Sequence, residues 1–184
     1  MLVETTSIEG VLIVTPRKFP DERGFFSETY RASTLFAHGV TDLWTQENHS
    51  MSIKRGVVRG LHFQAPPCAQ AKLLRVVQGS ILDIAVDIRK SSLTYGRHVA
   101  VELSTDNWKQ LYLPVGMAHG FCTLTDKAEV VYKTTNEYAP ETESGLLWND
   151  PALGIDWPVA AADAIVNARD TSWPTFQNMK SPFD

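Results

Sequence analysis

Apolar and polar residues alternate through the middle of the chain. Leu82, Ile84, Val86 and Ile88 interleave with Ile81, Asp83, Ala85 and Asp87, and Val99, Val101 and Leu103 interleave with His98, Ala100 and Glu102. This period of two is the signature of strands with one apolar and one more mixed face. Runs rich in β-branched residues predict further strands at Gly10 to Thr15, Gly56 to Phe63, Lys72 to Val77, Gln110 to Leu113 and Ala128 to Glu137. Turn signals such as Gln78-Gly79-Ser80 and Thr105-Asp106-Asn107 separate them. Many short strands at this spacing predict a mostly β sandwich or barrel. Two short helices are expected, one from Ser33 to Gly39, with a capping-type residue at its start and a glycine at its end, and one over the alanine-rich stretch Pro158 to Val166. The tail after Trp148 is expected to wrap the domain, because Trp148, Ile155, Trp157, Ile165 and Trp173 call for burial. With no repeat and no linker, residues 1–184 are expected to form one domain.

Composition narrows the function. The chain has 184 residues, 17 Lys and Arg against 21 Asp and Glu, and a net charge of -4. No basic field exists to grip nucleic acid, so an anionic ligand must be held by a few local arginines. No apolar run approaches the ~18 to 20 residues that span a bilayer, and the first residues carry Glu4 and Glu9 instead of a basic leader. Cys68 and Cys122 form no CxxC pair, which speaks against a disulfide framework or a thiolate zinc site. A cytoplasmic protein without membrane or nucleic-acid partners is expected.

The densest chemistry lies in Gly56-Val57-Val58-Arg59-Gly60-Leu61-His62-Phe63-Gln64 and Ala71-Lys72-Leu73-Leu74-Arg75-Val76-Val77-Gln78-Gly79. The spacing of Gly56, His62 and Gly79 resembles the first motif of the cupin superfamily, and Pro114 to His119 resembles the second. The resemblance implies a jelly-roll barrel with a few short helices. The positions that hold metal in cupins read His62, Gln64, Lys72 and His119. A protonated lysine offers no lone pair and adds positive charge where a cation would sit, so no metal is expected. A fixed cation in a water-poor barrel can instead stabilise a developing oxyanion, which is the role expected of Lys72. His62, between Arg59 and Lys72 in the sequence, is suited to abstract a carbon-bound proton, with Asp170 as a carboxylate to orient it.

A larger pattern runs along the whole chain. Asp21 to Tyr30, Gln46 to Ser50, Arg59 to Gln64, Gln70 to Leu73, Asp83 to Arg89, Ala118 to Phe121, Tyr132-Lys133 and Trp148 to Pro151 stand in order. Together they resemble the dTDP-4-dehydrorhamnose 3,5-epimerase family. The resemblance implies a homodimer without cofactor that converts dTDP-4-dehydro-6-deoxy-D-glucose to dTDP-4-dehydro-L-rhamnose. It makes His62 the base, Tyr132 the acid on the opposite face, Lys72 the holder of the enolate oxygen and Asp170 the partner of His62. It gives substrate-binding positions to Arg23, Glu28, Gln46, Asn48, Arg59, His119 and Glu143, thymine stacking to Tyr138, and a phosphate contact to Arg169. Three departures stand out: Arg169-Asp170 replaces the Lys-Asp of many relatives, Val115-Gly116-Met117 is less aromatic than usual, and Glu137-Tyr138 lacks a paired aromatic.

Three other readings are compatible with parts of the pattern. The same His, Tyr and Lys would serve an epimerase acting at C3 or C5 alone, or on another nucleotide-linked 4-ketosugar. A metal-dependent cupin enzyme is opposed by Lys72 and Gln64. A silent sugar-nucleotide binding module would be expected to lose His62 or Tyr132, and both are present.

Overall fold

The computed structural model describes residues Met1–Asp184. In chain order the strands are β1 (Leu2–Thr5), β2 (Leu12–Thr15), β3 (Lys18–Asp21), β4 (Gly24–Ser27), β5 (Gln46–Ser52), β6 (Val57–Gln64) and β7 (Lys72–Gln78). They continue with β8 (Ser80–Asp87), β9 (His98–Ser104), β10 (Gln110–Leu113), β11 (Met117–Thr123), β12 (Ala128–Thr134), β13 (Glu143–Gly145) and β14 (Ile165–Val166). One α-helix, α1 (Ala32–Phe36), and two single-turn 3-10 segments complete the inventory.

Two sheets make the jelly roll. The first runs β1-β2-β10-β7-β12-β5 and the second β13-β6-β11-β8-β9, with β14 added in parallel to β6. Between them lies the largest core, including Leu74, Val76, Ile81, Ala85, Leu103, Leu111, Leu113, Met117, Phe121 and Val130. Both sheets are also covered from outside. Leu12, Val14, Leu73 and Tyr112 pack under the α1 segment, through Leu35 and Val40. Leu61, Phe63, Ile84, Val86 and Ile88 pack under the C-terminal tail, through Leu153, Met179 and Phe183. Each such side chain taken from water contributes about 1.5–3 kcal/mol, so the tail is part of the stable structure.

The faces of β8 therefore lie opposite to a simple sandwich reading. Its uniformly apolar side, Ile84 and Val86, points out to the tail, while its mixed side, with Ile81, Asp83 and Ala85, points in. The inward face is mixed because Asp83, fully buried there, pairs with His119 of the neighbouring strand β11.

Two helical expectations need correction. The first helix is shorter than Ser33 to Gly39, is preceded by Arg31 with no side-chain cap, and closes near Gly39, whose φ is +84°. Pro158 to Val166 forms turns and then β14. The backbone N–H of Ile165 donates to Gly56 O, and pairing with β6 outweighs the weak local preference of four alanines. The tail does wrap the barrel: Trp148 is buried and Ile155 and Trp157 are packed, but Ile165 is 45% exposed on the outer side of its short strand. No helix is long and apolar enough to cross a membrane.

Candidate active site

One cavity of about 410 Å³ opens between the sheets. The first sheet supplies Gln46, Asn48 and Ser50 from β5, Lys72 from β7 and Tyr132 from β12. The second supplies Arg59, His62 and Gln64 from β6 and His119 from β11. Tyr138, Glu143, Asn167, Arg169 and Asp170 complete the wall. His62 and Tyr132 thus come from opposite sheets.

The pleat alone cannot place Arg59 and His62 on one face, since they are an odd number of residues apart. The β6–β11 ladder solves this by a shift: His62 stands opposite His119, while Arg59 stands opposite Phe121. Three steps on β6 match two on β11, which is a β-bulge. Gly60 occupies the bulge at φ +131°, and a Cβ there would lie 2.5 Å from Gly120 Cα. Gly120 is equally closed, with Arg59 O 2.7 Å from where its Cβ would be.

The bulge also receives Asp170. Gly60 N–H donates to Asp170 Oδ2 at 3.1 Å, and His62 Nε2 lies 2.7 Å from Asp170 Oδ1. Asp170 is 2% exposed. Burial alone pushes its carboxyl up, but His62, the Gly60 N–H and the charge of Arg169 together bring it below the ordinary carboxylate value. It stays ionised and fixes the His62 ring. Trp173 packs edge-on against that ring, with centroids 6.4 Å apart.

His119 has its own carboxylate, with Nε2 3.0 Å from Asp83 Oδ2. Burial pushes Asp83 up and His119 down, each is pulled back by the other, and the nearby Lys72 cation further disfavours a charged His119. Asp83 was not among the residues expected from sequence, yet an aspartate on the inward face of a buried strand was a signal, because such a group needs a partner. Ser50, Gln70 and Asn167 also line the cavity without any such signal.

Lys72 Nζ makes no hydrogen bond or ion pair within the chain. Burial lowers its pKa to about 8 against the pull of Asp83 and Glu143. Burial raises the Tyr132 hydroxyl, which keeps it a proton donor at neutral pH. At the mouth, Glu143 Oε2 accepts from Tyr138 Oη at 2.8 Å and from Arg169 Nη1 at 2.7 Å.

The donors at the cupin ligand positions do not suit a divalent cation. His62 Nε2 is engaged by Asp170, Lys72 is a cation, and the Gln64 amide is taken up by backbone groups.

Arg23 and Glu28 are not brought to this cavity. Arg23 sits at the tip of the β3–β4 hairpin, 84% exposed, with Nη2 2.6 Å from Asp21 Oδ2. Glu28 follows that hairpin and pairs with Arg31 at 2.9 Å. The hairpin leaves the barrel and is fixed at its base, where Trp108 Nε1 donates to Ser27 Oγ at 3.0 Å.

Residues 5–178 match the sequence model of the dTDP-4-dehydrorhamnose 3,5-epimerase family. The chain belongs to this family. The dTDP-4-dehydrorhamnose 3,5-epimerase of Salmonella typhimurium is 49% identical over 177 residues, covering 95% of this chain and 94% of that one. The crystal structure of a Bacillus anthracis dTDP-4-dehydrorhamnose 3,5-epimerase, with TDP and PPi bound, matches with a TM-score of 0.92 and 43% identity over 95% of this chain and 99% of that one. An epimerase from Legionella pneumophila, in complex with dTDP-4-keto-L-rhamnose, matches with a TM-score of 0.92 and 38% identity over 97% of this chain and 94% of that one. The similarity to these 3,5-epimerases includes the strands and tail that carry the cavity.

Proposed function

We propose that the protein inverts C3 and C5 of dTDP-4-dehydro-6-deoxy-D-glucose, giving dTDP-4-dehydro-L-rhamnose, within one jelly-roll unit that spans residues 1–184. The observation that carries the reading is the placement of His62, backed by the ionised Asp170, and Tyr132 on facing walls of one cavity that also holds Lys72.

The chemistry follows from the ketone. A carbonyl at C4 acidifies the protons on both neighbouring carbons, because either carbanion delocalises onto the same oxygen. His62 takes the proton, the C–H electron pair becomes the C=C bond of an enolate, and the negative charge on O4 meets the Lys72 ammonium. Tyr132 then protonates the carbon from the other face as O4 returns to a carbonyl, and the carbon is inverted. His62 and Tyr132 recover their starting states by exchange with solvent. Arg59 and Arg169 offer planar guanidinium donors for the diphosphate, and Tyr138 at the mouth offers a ring for the thymine.

The residues left outside support the homodimer reading. Arg23 lies on a hairpin carrying the exposed Phe19, Phe25 and Phe26, and it can bind this substrate only in the cavity of a second copy. The cytoplasm suits a chain whose Cys68 and Cys122 are both free.

Incubation with the substrate in deuterated water tests the activity. Label at both C3 and C5 with inversion at each is the expected result, whereas label at one carbon alone would select a single-position epimerase.

A further inference from the structure

We infer that Gln64 is a positioning residue whose buried amide clamps the Glu137–Ala139 segment and so holds the Tyr138 ring over the cavity mouth. This rests on the reading of Tyr138 as the nucleotide-stacking residue and adds the element that keeps it in place.

Gln64 occupies the position of a metal ligand in the cupin motif, yet its amide is spent on main chain. It is 4% exposed. Nε2 donates to Cys68 O at 2.7 Å and to Glu137 O at 3.2 Å, and Oε1 accepts the Ala139 N–H at 2.9 Å. Both amide protons and one acceptor site are therefore used to join β6 to the turn that follows it and to the strand-free segment after β12. The contacts to Glu137 and Ala139 fall on either side of Tyr138. The Tyr138 N–H itself donates to Gln46 Oε1 at 2.9 Å.

The clamp matters because Tyr138 has little else to fix it. The residue is 52% exposed, and its hydroxyl contact to Glu143 lies at the rim. A half-exposed ring on an irregular segment gains a defined direction from its backbone. An aromatic surface that is already directed binds a base without the ordering cost of a mobile one. Gln64, held on a strand of the barrel, links the rigid wall that carries His62 to the mouth that receives the nucleotide.

The test is a double-mutant cycle read by dTDP binding and by amide exchange. Gln64→Met preserves the side-chain volume and removes all three hydrogen bonds. It should weaken dTDP binding about tenfold, the size expected for losing buried amide contacts, and in turnover the loss should fall on KM rather than kcat. Tyr138→Ala should weaken dTDP binding to a similar degree, and the double variant should bind no worse than Tyr138→Ala alone. Exchange of the Ala139 amide should quicken at least about tenfold in Gln64→Met while amides of β8 keep their protection. Should Gln64→Met fail to fold, Gln64→Glu keeps the acceptor for Ala139, removes both donors and is expected to shift binding in the same direction.

Wild-type dTDP affinity in a folded Gln64 variant overturns the clamp, and so does a multiplicative loss in the double variant or a uniform acceleration of amide exchange. Those results leave Tyr138 as a stacking residue. Unchanged dTDP affinity in Tyr138→Ala overturns both the clamp and the stacking reading.

Discussion

His62 and His119 stand directly opposite each other across the β6–β11 ladder, and each directs Nε2 at a different buried aspartate. They are not equivalent. The His62 side chain is 24% exposed and that of His119 10%; His119 is further held from protonation by burial and by the Lys72 cation. His62→Ala should abolish both solvent-deuterium incorporation and epimerisation. His119→Asn should lower kcat/KM by about 10- to 100-fold, the loss of a binding contact and not of the base, with deuterium exchange still detectable. Full exchange by His62→Ala would assign the base to another group.

Tyr132→Phe keeps the ring and its packing but deletes the proton donor. Exchange at the labelled carbons should persist, because His62 can return a proton to the face it came from, while inversion falls by about 10²–10⁴-fold. Following stereochemistry and label together by NMR separates the two, and wild-type inversion would remove Tyr132 from the acid role.

Asp170→Asn tests the carboxylate behind the base. An amide in that place favours the wrong imidazole tautomer, and a loss in kcat of about 10²–10⁴ is expected from comparable His–Asp pairs. Stability gives a second readout. Because the folded-state value of Asp170 is lowered, its stabilising contribution is present above the unfolded value of about 3.9 and disappears as pH falls through the folded one. Urea midpoints of wild type and Asp170→Asn should therefore differ at pH 7 and converge in acid.

Lys72 predicts an alkaline limb with no parallel loss of stability. Its charge is kept in the folded chain up to a pKa of about 8, so kcat should fall as pH rises through that region. Between that value and the ordinary lysine range the unfolded chain binds the extra proton, and the linkage sign makes this group's contribution to stability rise with pH. Lys72→Met should accordingly be inactive while melting no lower than wild type at pH 7, a comparison that calorimetry makes directly.

Prolonged dialysis against a chelator should leave turnover intact. The reason is the donor set, in which His62 is already engaged and Lys72 is a cation. Activity that disappears and returns with one added metal would show that the electrophile is not Lys72.

The sequence revealed the strands whose pattern is set by packing alone. The expected Gln110–Leu113 is the observed β10, and β6, β7, β8 and β9 lie within a few residues of their expected places. Strand β5 was illegible because Gln46, Asn48 and Ser50 line the cavity while Glu47 and His49 face outward, so both faces are polar and no alternation remains. Strand β11 was illegible for the opposite reason, being buried on both faces along its whole length. Most of the cavity was visible through family motifs, yet no local pattern could show that Arg23 and Glu28 stand outside it. That separation depends on where the β3–β4 hairpin leaves the barrel. Asp83 could have been found from its cost of burial, whereas the clamp made by Gln64 joins residues whose proximity only the fold creates.

The extra residue in β6 changes the arithmetic of recognition. On a regular strand, side chains that share a face are spaced in even steps, about 7 Å and then about 13 Å apart. With Gly60 inserted, Arg59 and His62 share a face although three residues apart in sequence, because those three steps span only the two between Phe121 and His119 on β11, about 7 Å. That the Arg59 guanidinium and the His62 imidazole line one cavity is therefore the work of a backbone irregularity. Deleting Gly60 would leave Arg59 and His62 two residues apart on one face of a regular strand, but it would remove the N–H that donates to Asp170 and with it one of the two contacts that seat the carboxylate behind His62.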